Sequence, residues 1–411
     1  METLGCPKNQ VDSDKLTGQL LADGLVPATA ATDADLVVVN TCAFIEDARQ
    51  ESVDTILALA DTKLDSARLV VTGCMAERYG DELARALPEV DAVAGFSAAV
   101  PVSLGRRSTG PAVPAIDLLH LPRPKSAAPW AYVKVAEGCD RACGFCAIPS
   151  FRGPQRSRTV DDILVEVDEL DVQEVVLVAQ DLAAFGRDQG VGERSIVPLV
   201  EAVAQRVART RLLYLYPSDL TDGLIDAICA TGVPYFDLSL QHVSRPLVRR
   251  MRRWGDGEKF IARIDAIRAR EPDAAFRSSF IVGYPGETES DHDALLRFVD
   301  RARLDWCGFF SYSEEAGTYA AGLDRKVDRS LMGERLAELR ELQDGITAEK
   351  RDEMLGREVE VLVDAPGVGR SHREAPEIDG IISVPDDLAA GTFHTLVVKA
   401  AAGPDLEAVH R

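Results

Sequence analysis

The run Cys139-Asp-Arg-Ala-Cys143-Gly-Phe-Cys146 brings three thiols together in the spacing Cys-x3-Cys-x2-Cys. Thiolates so spaced can hold three irons of a 4Fe-4S cluster, and with no fourth cysteine close by one iron stays open to chelate a small molecule. Structural zinc takes four ligands and usually pairs two Cys-x2-Cys knuckles, so it fits this run poorly. A thioredoxin-like pair at Cys143 and Cys146 leaves Cys139 unexplained. A second set of three is dispersed: Cys6 closes Leu4-Gly5-Cys6, Cys42 follows the run Asp35-Leu-Val-Val-Val-Asn40, and Cys74 ends Arg68-Leu-Val-Val-Thr-Gly-Cys74. Singly each reads as a packed strand-end cysteine; all three, at the ends of apolar runs, would converge on one edge of a parallel sheet. Cys229 and Cys307 stand alone in apolar surroundings and read as small buried hydrophobes.

These cysteines need elements to position them. From Phe44 to Ala60 the residues Ile45, Ala48, Val53, Ile56, Leu57 and Ala60 recur at three- and four-residue steps, which is helical spacing. Strands alternating with helices predict an α/β domain over 1–104, a doubly wound parallel sheet whose ligands lie beyond the carboxyl ends of the strands. Between Ala98 and Trp130 six prolines (Pro101, Pro111, Pro114, Pro122, Pro124 and Pro129) without periodicity predict a linker. Over 125–350 six strand-length runs are each followed by helical spacing: Tyr132 to Ala136, Glu174 to Ala179, Arg211 to Tyr216, Tyr235 to Leu240, Ala275 to Val282 and Cys307 to Tyr312. Six such units predict a (β/α)6 partial barrel with its chemistry on the loops after the strands. Over 353–411 the runs Glu358 to Asp364, Gly380 to Val384 and Thr392 to Lys399, separated by Gly, Pro and Asp turns, predict a small antiparallel β-barrel.

Two further side chains stand out. Arg277, on the fifth barrel strand, points into a mostly apolar interior and needs an anionic partner, either a bound carboxylate or a neighbouring acid. His242 ends the fourth strand, where a hydrogen-bonded wall residue is a plainer reading than a ligand or proton shuttle.

The chain resembles the radical S-adenosylmethionine (SAM) superfamily, with Phe145 in the aromatic position before the third cysteine. The resemblance implies that the open iron binds the amino and carboxylate groups of SAM, and that one electron cleaves SAM to methionine and a 5'-deoxyadenosyl radical. That radical abstracts hydrogen from an unactivated carbon while the protein positions it and excludes competitors. The N-terminal three-cysteine domain, barrel and small TRAM-like C-terminal barrel together are similar to the methylthiotransferases. In that family the N-terminal cluster is auxiliary, and its open iron carries the sulfur to be inserted. The resemblance thus implies two 4Fe-4S clusters, on Cys6, Cys42 and Cys74 and on Cys139, Cys143 and Cys146, with Phe145, Gln180, Gln241 and Arg277 against SAM, one SAM serving as radical source and another as methyl donor.

Within the family, Gly5-Cys6-Pro7-Lys8-Asn9, Gln180-Asp181, Tyr216-Pro217, Leu240-Gln241-His242, Phe280-Ile-Val-Gly-Tyr-Pro-Gly-Glu-Thr288 and Ala375-Pro-Glu-Ile-Asp-Gly380 look like the RimO type. That type methylthiolates an aspartate β-carbon in the S-twelve protein of the small ribosomal subunit. The tRNA-modifying branches tend to have Gln-Asn in place of Gln180-Asp181 and a glutamine-containing loop around the first cysteine. Leu182, Ser239 and Val243 depart from the pattern, standing where a hydroxyl residue, a proline and a small residue are expected, and only Met1 to Leu4 precede Gly5, which clips the first strand.

The formal net charge of -21, and eleven acidic against five basic residues over 353–411, work against the electrostatic attraction to nucleic acid and favour a basic partner. The expected partners are the basic S-twelve protein and a reductant such as flavodoxin or ferredoxin. Nucleic acid is not expected as direct substrate, and the C-terminal barrel is expected to present an acidic surface. No apolar run of eighteen residues and no signal peptide appear, which predicts a cytoplasmic protein without a membrane span, where eight cysteines do not form a disulfide framework. The rival readings are a tRNA methylthiotransferase and an iron-sulfur electron carrier with a binding barrel. The carrier normally has four thiolates per cluster.

Overall fold

The computed structural model describes residues 1–96, 117–190 and 196–411. Pro101, Pro111 and Pro114 of the expected linker lie outside them.

Four parallel strands, β1 (Glu2–Thr3), β2 (Leu36–Thr41), β3 (Arg68–Gly73) and β4 (Ala92–Val93), pair in that order. Because side chains alternate across a strand, Val37 and Val39 face one side and Val38 the other. Helix α1 (Pro7–Ala22) covers one face, with Leu16 and Leu20 against Val38, Val70 and Leu118. Helices α2 (Glu46–Thr62) and α3 (Cys74–Ala86) cover the other, with Ile56, Met75 and Leu83 against Val37, Val39, Leu69 and Val71. Both faces are covered as expected of a doubly wound sheet, but the strand order has no reversal. The three cysteines therefore meet because their strands point the same way, not at a topological switch point. The linker, where described, is docked on α1: Leu118 and Leu119 are buried, and Lys15 Nζ donates to the Leu119 carbonyl at 2.8 Å.

The central unit begins with β5 (Trp130–Lys134) and a two-stranded antiparallel ribbon, β6 (Ala136–Glu137) and β7 (Arg156–Ser157), which brackets the cysteine loop and the short α4 (Ile148–Arg152). It continues through α5 (Val160–Leu170), β8 (Glu174–Val178), α6 (Ile196–Ala204), β9 (Arg209–Leu212), α7 (Asp222–Cys229), β10 (Tyr235–Gln241), α8 (Arg245–Arg250), α9 (Gly257–Arg270), β11 (Ala275–Val282), α10 (Glu289–Ala302), β12 (Trp306–Ser311) and α11 (Arg329–Asp352). The strands form two parallel triplets, β5-β8-β9 and β10-β11-β12, joined by an isolated bridge between Leu215 and Leu238. The third strand, expected to run to Tyr216, ends at Leu212. Tyr214 takes a φ of 64° and its N–H donates to the Asp237 carboxylate at 2.9 Å, so the chain leaves the ladder there. Cys229 and Cys307 pack against the main core, as small hydrophobes do.

The C-terminal unit is a closed barrel in the order β13-β14-β15-β17-β16, from β13 (Glu358–Ala365), β14 (Val368–Arg370), β15 (Ile382–Ser383), β16 (Phe393–Ala402) and β17 (Asp405–Val409). All pairs are antiparallel except β15 with β17. Between β14 and β15 the segment 371–379 enters the central barrel from the end opposite the cysteines. Tyr132 Oη donates to the Pro376 carbonyl (3.0 Å), Tyr235 Oη to Asp379 (2.6 Å) and Trp306 Nε1 to the Arg373 carbonyl (2.7 Å), while Ala375 joins the lumen cluster of Tyr132, Val176 and Tyr235. The acids of this unit are accordingly not one surface. Glu374 is buried against Arg351 at 2.5 Å, Asp379 lies in the lumen and Asp364 pairs with Arg370 at 2.6 Å, whereas Glu358, Glu377, Asp386, Asp387 and Glu407 are exposed.

Candidate functional site

Backbone contacts stitch the dispersed cysteines together. Gly5 has a φ of +96°, and a Cβ on it would stand 2.8 Å from Cys42 Cβ and 3.0 Å from its Sγ, so only glycine lets the Cys6 loop lie against Cys42. Gly73, at φ +92°, lets β3 end against β2, since a Cβ there would stand 2.6 Å from the Thr41 backbone. Asn9 donates to the carbonyls of Leu4 (2.9 Å) and Thr41 (3.0 Å), and Asn40 returns a bond to the Asn9 carbonyl (2.8 Å). Burial, reinforced by Cys6 and Cys74, pushes the Cys42 thiol up to about 12. Burial also raises Cys74 against the pull of Arg152, whereas at Cys6 it is outweighed by Lys8, Arg152 and two backbone N–H groups, and the pKa falls.

The contiguous cysteines need only local wedges. A Cβ on Gly138 would stand 2.1 Å from the Pro154 carbonyl, and one on Gly144 would stand 2.9 Å from Tyr284 Oη. Gly144 N–H donates to the Met251 carbonyl (2.8 Å) and its own carbonyl accepts from Ala320 (2.7 Å). The Arg141 N–H lies 3.4 Å from Cys139 Sγ, and Arg253 Nη1 donates to Cys143 Sγ at 3.1 Å. The Tyr216 ring is held between Arg141 (3.9 Å) and Arg253 (4.2 Å). Burial, with the Asp181 carboxylate and the Cys143 thiol adding, pushes Cys139 up to about 11, and burial with the other two thiols pushes Cys146 to about 12.

Each set thus gathers three thiols that influence one another's ionisation, with an arginine donating to one sulfur. This donor chemistry fits iron-sulfur ligation, in which metal binding drives deprotonation and hydrogen bonds to sulfur tune the cluster. Among the described residues no three His, Cys, Asp or Glu side chains converge on a single ion. Thiols arranged around a four-iron cluster need not converge so, whereas a lone zinc draws each sulfur to about 2.3 Å.

A buried ionic network that the sequence did not reveal joins the two sets. Arg152 donates to Cys74 Sγ (3.0 Å), Asn9 (2.8 Å), Glu137 (2.9 Å) and Asp12 (3.2 Å), while Lys134 donates to Glu137 (2.7 Å) and pairs with Asp12. Burial opposes the Glu137 carboxylate, but Arg152 and Lys134 hold its pKa well below the usual range. The one available signal was Arg152 itself, a charged residue on a short apolar helix soon after Cys146. Across the open seam of the barrel, Glu315 accepts from Arg49 and Arg78, both at 2.6 Å, so the N-terminal unit grips both edges.

The expected SAM contacts are placed as follows. Gln180 donates to Glu137 at 2.7 Å, and its carbonyl oxygen is buried without a partner among the described residues. Gln241 ends β10, half-buried, at a φ of +69°. Phe145 packs against Leu247, Met251, Tyr284 and Ala320. Arg277 lies in the lumen 3.5 Å from Asp379, so the C-terminal unit supplies an acid to it. At that separation the attraction does not offset burial, and Asp379 is pushed up to about 6. Burial pushes His242 down to about 4, leaving it neutral near pH 7, with Nδ1 accepting from the Ser244 N–H at 3.1 Å; this fits a wall residue. No helix among the described residues is long and apolar enough to cross a membrane.

Three family models match the chain: the uncharacterized protein family UPF0004 over residues 1–95, the radical SAM superfamily over 133–299 and the TRAM domain over 355–410. Among curated relatives, the ribosomal protein uS12 methylthiotransferase RimO of Kineococcus radiotolerans is 40% identical, the match covering 98% of this chain and 95% of that protein. Its namesake in Nocardioides sp. is 41% identical over 99% and 96%, and that of Myxococcus xanthus 42% identical over 99% and 90%.

Proposed function

Because this chain belongs to the RimO family of radical SAM methylthiotransferases, we propose that it transfers a methylthio group to the β-carbon of an aspartate in ribosomal protein uS12, using two 4Fe-4S clusters. That it is a radical SAM enzyme using SAM and an iron-sulfur cluster follows from the family. The finer reading gives Cys139, Cys143 and Cys146 the cluster that binds SAM, and Cys6, Cys42 and Cys74 the cluster that carries the inserted sulfur. Units 1–104, 125–350 and 353–411 divide the work, a flavodoxin- or ferredoxin-like protein supplies electrons, and the enzyme acts in the cytoplasm.

When bound and reduced, SAM supplies a 5'-deoxyadenosyl radical that removes hydrogen from the substrate carbon. Phe145, Gln180, Gln241 and Arg277 are assigned to holding SAM, with Glu137 fixing the Gln180 amide. Arg253 and Arg152 donate to the sulfurs of Cys143 and Cys74. Such outer hydrogen bonds fix ligand orientation and tune the metal. The observation that carries the two-cluster reading is the Arg152 network, which ties one three-thiol set to the carboxylate beside the other.

Anaerobically reconstituted protein is expected to hold about eight irons and eight sulfides, and about half after Cys139, Cys143 and Cys146 are changed together to alanine. Cys143→Ala should abolish 5'-deoxyadenosine formation. Cys42→Ala should keep it yet yield no methylthiolated uS12 by mass spectrometry. Loss of all iron from the triple variant, or normal product from Cys42→Ala, defeats the two-cluster reading; product on tRNA and none on uS12 transfers the chain to the tRNA branch.

A further inference from the structure

Ten lysine and arginine side chains are buried among the described residues, and nine have a carboxylate within 4.0 Å. Lys134 and Arg152 share Asp12 and Glu137, and Arg211 has Glu174 at 2.7 Å. Lys8, only 9% exposed, has no carboxylate within 4.0 Å among the described residues. Its Nζ instead lies 3.2 Å from the centre of the Tyr214 ring. A ring face compensates a buried ammonium less fully than a carboxylate does, and a cation in the first turn of a helix is unfavourable because the dipole is already positive there; Lys8 has the ring alone and lies in the first turn of α1. Helix stability does not account for a lysine here, and the ring contact leaves its charge without an anion.

Its position points to a ligand. Lys8 follows Cys6 by two residues, and its charge is felt at the Cys6 thiol. Tyr214 belongs to the barrel, at the point where the chain leaves β9, and lies within electrostatic range of Cys6, Asp237 and Arg277. The ammonium therefore stands where the N-terminal cysteines face the barrel lumen. A substrate carbon must meet both radical and sulfur in that region, and a carboxylate held there is one bond from an aspartate β-carbon. We propose that Lys8 binds the side-chain carboxylate of the substrate aspartate and sets the preference for an acidic over a neutral side chain, resting on the reading that an aspartate of uS12 is modified. The competing role, a counter-charge for the cluster beside Cys6, gives no reason for the enzyme to distinguish aspartate from asparagine.

The test measures the affinity of reconstituted full-length enzyme, with SAM, for uS12 and for uS12 whose target aspartate is changed to asparagine. Wild type should bind the aspartate form about tenfold tighter, the scale of one charge-assisted bond. Lys8→Met should bind both forms alike, at the weaker value. Lys8→Arg should keep most of the preference, and Lys8→Gln replaces the methionine variant if that one loses iron. Iron content and the midpoint potential of the N-terminal cluster are read in parallel. A preference that survives in Lys8→Met, a wild type that binds both forms equally, or a shifted potential with the preference intact overturns the role for Lys8. If wild type forms no methylthiolated uS12 at all, the functional reading fails first, and that result is distinguishable from the others.

Discussion

The two three-thiol sets differ in how they are built. Cys139, Cys143 and Cys146 ride one loop pinned by Gly138 and Gly144, so sequence spacing supplies most of their geometry. Cys6, Cys42 and Cys74 come from three strand ends and depend on Gly5, Gly73, Asn9 and Asn40 to hold separate backbones in contact. A contiguous site tolerates movement of its domain; a dispersed site is only as firm as the sheet that carries it. The arginines follow the same division. Arg253 sits over an aromatic ring at the loop's edge, whereas Arg152 is buried among two carboxylates and a lysine.

The largest effect that could break this contrast is expected from Gly73→Ala. A Cβ beside the Thr41 backbone at positive φ should destabilise the sheet by several kcal/mol, on the order of 3. About half the iron should be lost while SAM cleavage persists, as read by iron assay and 5'-deoxyadenosine yield. Loss of all iron together with SAM cleavage would mean that the sets are not separately held. Comparable in size, Arg152→Met leaves Asp12 and Glu137 sharing one lysine, and removing one member of a buried ionic cluster costs about 3 kcal/mol. The chemical denaturation midpoint should fall, and the midpoint potential of the proposed N-terminal cluster should become more negative as its sulfur loses a hydrogen bond. An unchanged potential would make Arg152 purely structural.

The smallest effect concerns Asp379. Its folded pKa of about 6 lies above its ordinary value of 3.8, so the folded state binds the extra proton. Stability from this group is present below about pH 4 and lost as pH rises through 6. Asp379→Asn should remove that slope, so the difference in melting temperature between variant and wild type should grow in the variant's favour from pH 5 to pH 7. The opposite slope would mean that Arg277 dominates the pair.

What the sequence made legible follows from the same contrast. The three units, five of the six barrel strands and the contiguous cysteines all rest on local periodicity or spacing. Tyr214 could not be read this way, since nothing local marks the Asp237 carboxylate that pulls its N–H out of the ladder. Strand β14 is too short to show a period. Arg152, Lys134 and Asp12 are distant charges whose meeting is decided by tertiary packing. The acidic C-terminal composition was plain, but burial of Glu374 and Asp379 was not, because composition carries no direction.

The segment that enters the barrel from below also bears on the order in which the molecule is made. Glu174 and Arg211 are fully buried, and their remaining contacts come from Arg370, Ser371 and His372. A ribosome delivers those residues nearly two hundred positions after Glu174. Until they arrive, the nascent barrel holds a buried ion pair only partly satisfied and two tyrosine hydroxyls whose acceptors do not yet exist. Folding from the N-terminus therefore cannot finish the cofactor-bearing unit when its own sequence is complete. Its last structural step belongs to the domain that follows, so a chain cut short after α11 should be a substrate for proteases before it is a catalyst.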